Sequence, residues 1–343
     1  MLEELSVLVW LKFLLCFVII LFAGSKLARY GDAIAEKTGL GRLWIGLVLL
    51  ALITSMPEFI TGVSSAALVG LPDLALGTLL GSCLFNLSIL GLLDIMYRPA
   101  PLLSKASSRH MLSAGLGILL MALAAGGILA GDWFSRVPVG WVGIPSFIII
   151  IVYLAGVRWM FQLERGQQVS LTEATALRYE DSSIGSVWFK FALAAAAVIG
   201  AGVWLSFVGD EIAETTGLGA SFVGSLFLAI STSMPELVVS VAALRLGAID
   251  MAVADILGAN MLDVAHIFTV DVFYSRGPLL SAVSGSHLIT AVVVVAMSLL
   301  VIMGLRFRQR RKTFIVISWY GLALIGLYIL GAYALFISAV GPG

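Results

Sequence analysis

Long apolar runs follow one another along the chain, each close to the roughly 20 residues that a helix needs to cross a bilayer. They lie near 5–28, 43–69, 73–97, 110–130, 139–161, 187–208, 219–246, 250–274, 286–305 and 313–340, and predict ten membrane-spanning helices. Very short polar links join the second run to the third and the seventh to the eighth, which predicts two tight helical hairpins. The longest polar insert, 164–186, carries Arg165, Glu173, Arg178, Glu180 and Asp181. It reads as a cytoplasmic linker between two five-span units, 1–163 and 187–343. The first run is too long for the apolar core of a signal peptide and lacks a basic flank before it, so it reads as a true span. The expected fold class is an all-α polytopic membrane protein.

Composition agrees with that class. Of 343 residues, 60% are hydrophobic and only 12% charged, with a mean hydropathy of +1.08, which no soluble domain of this length matches. A formal net charge of zero argues against a nucleic-acid partner. Cys16 and Cys83 both lie inside apolar runs, so neither a disulfide framework nor a CxxC metal site is expected. Ten spans would place seventeen of the 20 Lys and Arg residues on one side, leaving Arg136 and Arg276 on the other and Lys12 within the first span. That bias predicts an N-out, C-out topology, expected in a bacterial inner (plasma) membrane.

The chain also repeats itself. The stretch Gly31–Gly41 matches Gly209–Gly219 at an offset of 178 residues, and Ser55-Met56-Pro57-Glu58 matches Ser233-Met234-Pro235-Glu236 at the same offset. A one-residue deletion then sets the offset at 177, pairing Asp73 with Asp250, Gly81 with Gly258, Asp94 with Asp271 and Pro101 with Pro278. Five is odd, so the two units should be inverted relative to each other, an architecture of secondary transporters whose site lies near the midplane.

The candidate chemistry sits in the repeated motif. Thr54-Ser55-Met56-Pro57-Glu58 and Thr232-Ser233-Met234-Pro235-Glu236 put a proline, a carboxylate and two hydroxyls in the middle of apolar runs. Proline removes a helical hydrogen bond, and freed carbonyls at membrane depth persist only where they line a cavity or find partners. Each motif thus offers hydroxyls, carbonyls and a carboxylate within about one turn, a hard-oxygen set suited to Na⁺ or Ca²⁺. A kinked packing helix whose glutamate snorkels or pairs with a base would explain one copy, but two equivalent copies without an intramembrane Lys or Arg nearby favour a site. The next runs align Leu76–Asn86 with Val253–Asp263. Asn86 and Asp263 are equivalent and lie one turn beyond Ser82 and Ala259 on the same face. Gly81 and Gly258 are expected to allow close helix approach.

These stretches resemble the alpha repeats of the sodium/calcium exchangers in the cation/calcium antiporter superfamily, whose pattern is approximately G-T-S-x-P-E followed by G-N-x-x-G-S-N-x-F-N, with an Asp ending the second repeat. The resemblance implies that Glu58 and Glu236 are the principal Ca²⁺ carboxylates, with carbonyls around Thr54 and Thr232 completing that site. It implies that Ser55, Ser233 and Ser82 bind Na⁺, and that Asn86 and Asp263 take the remaining corner. It implies, too, that the first and sixth spans move. The chain departs from the pattern: Ile53 and Ser231 replace glycine, Cys83 replaces the Asn of G-S-N, Ala259 replaces a serine, and Asp255 replaces the Asn of G-N. His266 follows Asp263 by one turn; a neutral ring hydrogen-bonded to a neighbouring helix is its bland reading.

The function expected is secondary antiport of Ca²⁺ against Na⁺, with the two ions and membrane lipid as partners and no cofactor. Exchange of Ca²⁺ for H⁺, motivated by Ala259, Asp255 and His266, is the nearest alternative, followed by a K⁺-dependent variant. From other classes come a membrane Ca²⁺ sensor without transport and an intramembrane aspartyl protease. Asp32 and Asp210 come close to the pair such a protease needs, but they read as interfacial helix caps or gating contacts. No Ser/His, Cys/His, nucleotide or EF-hand pattern is present, so no enzyme is expected.

Overall fold

The computed structural model describes residues 2–38, 52–134, 138–165 and 183–340, which are almost entirely helical. The long helices are α1 (Leu2–Thr38), α2 (Met56–Val69, its last turn Ser65–Val69 a π turn), α3 (Pro72–Met96), α4 (His110–Leu129), α5 (Ile144–Arg165) and α6 (Ile184–Thr216). After them come α7 (Ala220–Thr232), α8 (Met234–Arg245), α9 (Ile249–Phe273), α10 (His287–Arg306) and α11 (Trp319–Val340). Among the described residues eight of these helices are long and apolar enough to cross a membrane, and α7 with α8 forms a ninth, bent span. Helix α2 and the helical residues 52–54 belong to the expected second span, of which 43–51 lie outside the described residues. The expected linker is likewise outside them between 166 and 182.

Helices α1 and α6 run antiparallel along one flank. Val9, Cys16 and Ile20 pack in one cluster with Leu205, Val208 and Ile212. Further along, Leu27 meets Ala194 and Val198, and Ala33 and Ile34 meet Val187. Lys12, the base that the span count left inside the first run, is ion-paired to Glu211 of α6 at 2.7 Å. Both helices exceed the runs that predicted them. Asp210 consequently lies inside α6, not at a cap; the helix ends at Thr216, with Gly217 left-handed at φ +71°. Helix α1 likewise continues through Gly31-Asp32 to Thr38. The cap reading fails because Gly209 and Gly31 serve packing: a β-carbon on Gly209 would sit 2.9 Å from Leu228, and one on Gly31 would overlap Ile53. Ile53, which replaces a glycine, thus finds its room above another glycine.

The remaining helices form a bundle around α3 and α9. Side chains of α3 are buried on nearly every face from Leu74 to Leu93, as expected of a helix surrounded by others. Its glycines let α7 approach backbone to backbone. A β-carbon on Gly77 would lie 2.9 Å from the Ser221 carbonyl, one on Gly81 would lie 2.5 Å from Ser225 Cα, and one on Gly224 would lie 2.6 Å from the Leu74 carbonyl. Large apolar side chains on the outer faces of α1, α6 and α11, such as Leu11, Phe22, Phe189, Leu193, Ile329 and Phe336, are exposed, as a lipid-facing surface requires.

Buried aspartates tie the bundle ends. Oδ1 of Asp94 accepts from Leu102 N at 2.7 Å and Oδ1 of Asp271 accepts from Leu279 N at 2.8 Å, the same eight-residue loop at equivalent positions. Asp94 also takes Ser318 N, and Asp271 takes Gly143 N and the Ser146 hydroxyl. At the helix starts the exchange crosses between repeats. Asp73 accepts from Ser284 N and faces His287 at 3.0 Å, while Asp250 accepts from Ser107 N and faces His110 at 2.9 Å. Every one of these pairs joins segments that the ten-span count puts at the same end of the bundle.

Candidate ion-binding site

Both motifs break their helices in the same way. Pro57 and Pro235 donate no N–H, so the carbonyls of Ile53 and Ser231 lose their helical donors. The residue two before each proline leaves helical geometry, with Ser55 at φ −83°, ψ 10° and Ser233 at φ −85°, ψ 11°. Helices α7 and α8 meet there at 43°. Hydroxyls reinforce the bend: Ser231 Oγ donates to Phe227 O and Thr232 Oγ1 to Leu228 O. The Thr232 hydroxyl thus directs its proton back along its helix, and the carbonyls of the break lie beside it as further oxygens for a cation.

The halves meet at these breaks and exchange hydrogen bonds. Ser55 Oγ donates to Glu236 Oε1 at 3.1 Å, and Ser233 Oγ donates to Glu58 Oε1 at 2.8 Å. Each serine therefore holds the carboxylate of the other repeat and keeps its lone pairs for a cation. All four side chains are fully buried. Among the described residues their second carboxylate oxygens, Glu58 Oε2 and Glu236 Oε2, have no partner. Neither do Ser82 Oγ, both carboxamide atoms of Asn86 or both carboxylate oxygens of Asp263. A buried polar atom without a partner costs about 1–3 kcal/mol, and more when charged. So many on facing helices α2, α3, α8 and α9 mark a place shaped for a ligand. The acids sense one another, since the charge of Asp263 bears on Glu58 and the charges of Glu58 and Asp255 bear on Glu236.

No three His, Cys, Asp or Glu side chains among the described residues converge as a metal-holding group on their own. Cations here would be held by a mixed set of carboxylate, hydroxyl, carboxamide and carbonyl oxygens. Thr54, Ser55, Glu58, Ser82, Asn86, Thr232, Ser233, Glu236 and Asp263, the residues expected from the sequence, are all buried at the two breaks and on the helices that flank and face them.

The chain is similar along its length to known transporters. The model of the sodium/calcium exchanger protein family matches residues 8–161 and 186–337, one segment for each repeat. The chain belongs to the sodium/calcium exchanger protein family. Among relatives, it is 25% identical over 356 residues to the sodium/calcium exchanger MaX1 of Methanosarcina acetivorans, covering 95% of this chain and 98% of that one. It is 27% identical over 267 residues to the inner membrane protein YrbG of Escherichia coli, covering 76% and 78%. The fold is that of the sodium-calcium exchanger NCX_Mj, solved after soaking with 2.5 mM Na⁺ and 0.1 mM Ca²⁺, at a TM-score of 0.61, 20% identity and coverage of 98% and 99%. The protein is accordingly an integral membrane transporter of two inverted repeats.

Three features of this family member were not anticipated from the residues. Cys83 and Asn260, at the 177-residue offset, bond reciprocally: Asn260 Nδ2 donates to Cys83 O at 3.2 Å, and Cys83 Sγ approaches Asn260 O at 3.5 Å. The offset itself was the available signal. Ser240 Oγ donates to Asp255 Oδ2 at 3.1 Å, a bond between helices that no spacing along one helix reveals. His266 Nδ1 has no hydrogen-bond partner among the described residues. Its ring packs on Phe59 instead, with centroids 5.1 Å apart, because the position faces the residue next to Glu58. The side chain of Asp32 lies outside those described.

Proposed function

We propose that this chain carries out secondary antiport of Ca²⁺ against Na⁺ by alternating access, at a site built from Glu58, Glu236, Asp263, Asn86, Ser55, Ser233, Ser82 and the backbone carbonyls around Thr54 and Thr232. The observation that carries the site assignment is the reciprocal bonding of Ser55 to Glu236 and Ser233 to Glu58, with unpartnered oxygens left over on both glutamates, Asp263 and Asn86. A Ca²⁺ ion needs six to eight oxygen ligands, and the two glutamates supply its charge compensation only when the halves are together. Several Na⁺ ions distributed over the serines and the same carboxylates neutralise the same charge. The two loads exclude each other because they share oxygens, and an unloaded cluster of buried acids resists occlusion.

Helices α1 and α6 are the moving pair in this reading. They cover the breaks through glycines at equivalent positions: a β-carbon on Gly24 would overlap Pro235, and one on Gly202 would lie 3.1 Å from Ile60 and 3.2 Å from Thr61. Glycine faces on Pro235 and Ile60 favour sliding, with one hydrogen bond between α2 and α6, Thr61 Oγ1 to Gly202 O at 3.3 Å, to be exchanged in the movement. The units 1–163 and 187–343 act as the two domains, the linker 164–186 lies in the cytoplasm, and the basic bundle end of Arg98, Lys105, Arg109 and Arg308 faces the same side. This gives an N-out, C-out protein of a bacterial inner (plasma) membrane. The reading is tested by ⁴⁵Ca²⁺ uptake into proteoliposomes loaded with Na⁺ or, in the parallel arm, with a pH gradient. Uptake driven by the Na⁺ gradient supports it, and uptake driven by the pH gradient alone contradicts Na⁺ coupling.

A further inference from the structure

Asp255 is a buried acid that the site above does not use. It is 1% exposed. Oδ2 accepts from Ser240 Oγ at 3.1 Å, while Oδ1 has no partner among the described residues. Among the described residues no Lys, Arg or His is ion-paired to it. From α8 it faces Ser240, with Glu236 one turn away on the same stripe and near enough for the two charges to act on each other. Its own helix also carries Asp250 before it and Asp263, His266 and Asp271 after it, with Asp263 about two turns further on. Arg245, the base of α8, is on another stripe with Val238, Val241 and Ala242.

Comparison of the two halves gives this pair its meaning. In the first half, Ser82 on α3 has a hydroxyl without a partner among the described residues, whereas the positions one turn on carry no charge: Gly62 has no side chain and Thr78 is neutral, its Oγ1 donating to Leu74 O at 2.9 Å. In the second half, Ala259 has no hydroxyl to offer Glu236, and the equivalents of Gly62 and Thr78 are Ser240 and Asp255. One polar place has been emptied, and an acid–hydroxyl pair has been installed about 6 Å away along the helix. A buried carboxylate without a basic partner must take up a cation or stay neutral.

We propose that Asp255 and Ser240 form an accessory site for a monovalent cation beside Glu236, replacing the place that Ala259 leaves incomplete, so that the ion count of the exchange cycle includes Asp255. A carboxylate with a hydroxyl is a hard-oxygen pair that suits Na⁺; a proton on Oδ1 is the other source of the same charge. This inference rests on the transport reading above. The test uses the full chain in proteoliposomes and determines how many monovalent cations move per Ca²⁺, from the gradient that just balances Ca²⁺ flux. Wild type and Asp255→Asn are compared under a Na⁺ gradient and under a pH gradient. The proposal expects the variant to move one monovalent cation fewer per Ca²⁺, in the Na⁺ arm if the occupant is Na⁺ and in the pH arm if it is a proton. An unchanged count in both arms overturns it. If Asp255→Asn does not fold, Ser240→Ala decides: apparent affinity for the monovalent cation about tenfold weaker supports the site, and an unchanged affinity overturns it. Should the wild type move no Ca²⁺ under either gradient, the transport reading has failed on its own. Titration of the purified chain with NaCl alone and with acid, followed by thermal unfolding, then still decides. One cation fewer bound by Asp255→Asn supports the accessory site, and coincident curves overturn it.

Discussion

Cys83 and Asn260 sit at equivalent positions of the two repeats and bond to each other's backbone, Asn260 Nδ2 to Cys83 O at 3.2 Å and Cys83 Sγ to Asn260 O at 3.5 Å. The pseudo-two-fold axis passes between them, and both lie one residue beyond the ion-facing positions Ser82 and Ala259. The carboxamide bond is the stronger of the two, because sulfur is a weak donor. Asn260→Ala removes this second donor from the Cys83 carbonyl, which keeps its helical one, and should destabilise the protein by about 0.5–1.5 kcal/mol. Cys83→Ser should cost less. Thermal unfolding of both variants in detergent checks the order, and equal or reversed costs contradict it.

The serine–glutamate exchange predicts a specific pattern of coupling. Ser55→Ala should weaken Ca²⁺ binding about tenfold, through loss of a charge-assisted hydrogen bond. The loss should act through Glu236, not through the glutamate three residues away in the same motif. A double-mutant cycle of Ser55→Ala with Glu236→Gln should show an interaction of about 0.5–3 kcal/mol, and the cycle with Glu58→Gln a smaller one. Calcium titration of the four variants measures both, and stronger coupling within a motif than across it would refute the arrangement.

Close approach of α3 to α7 sets two glycine substitutions against each other. Gly81→Ala drives a methyl to within 2.5 Å of Ser225 Cα, backbone that cannot step aside, and should destabilise by about 1–3 kcal/mol or more. Gly115→Ala in α4 meets nothing within 4 Å, and should stabilise by about 0.5–1 kcal/mol through helix propensity. Opposite shifts in melting temperature are expected.

The two Asp–His pairs at the helix starts are equivalent in sequence but not in burial. His287 is fully buried against an Asp73 that is 30% exposed, while His110 is 13% exposed against an Asp250 that is 61% exposed. His287→Ala should therefore destabilise more than His110→Ala, and the smaller effect should shrink with added salt. Melting curves at low and high NaCl test this, and equal salt sensitivity argues against it.

Much of this structure is readable from the residues because a bilayer leaves few options. Apolar run lengths marked the spans, Pro57 and Pro235 marked the breaks, and the repeat offset paired Asp94 with Asp271 before any loop was seen. Helix ends were less legible: α1 and α6 continue past Gly31 and Gly209, since interior glycines that admit Ile53 and Leu228 look on paper like terminators. The Glu58, Glu236 and Asp263 set was legible as an intramembrane cost demanding a purpose. The bond from Ser240 to Asp255 was not, because Ser240 is an ordinary small residue until the hairpin register of α8 and α9 sets it opposite an acid.

One site shared by both halves is proposed to carry the ions. It is tested most directly by Na⁺-gradient-driven ⁴⁵Ca²⁺ uptake into proteoliposomes of wild type, Glu58→Gln and Glu236→Gln, each reconstituted at equal density. Uptake by the wild type and its loss in each single variant are expected, because neither glutamate can compensate Ca²⁺ without the other. Full uptake by either variant would contradict it.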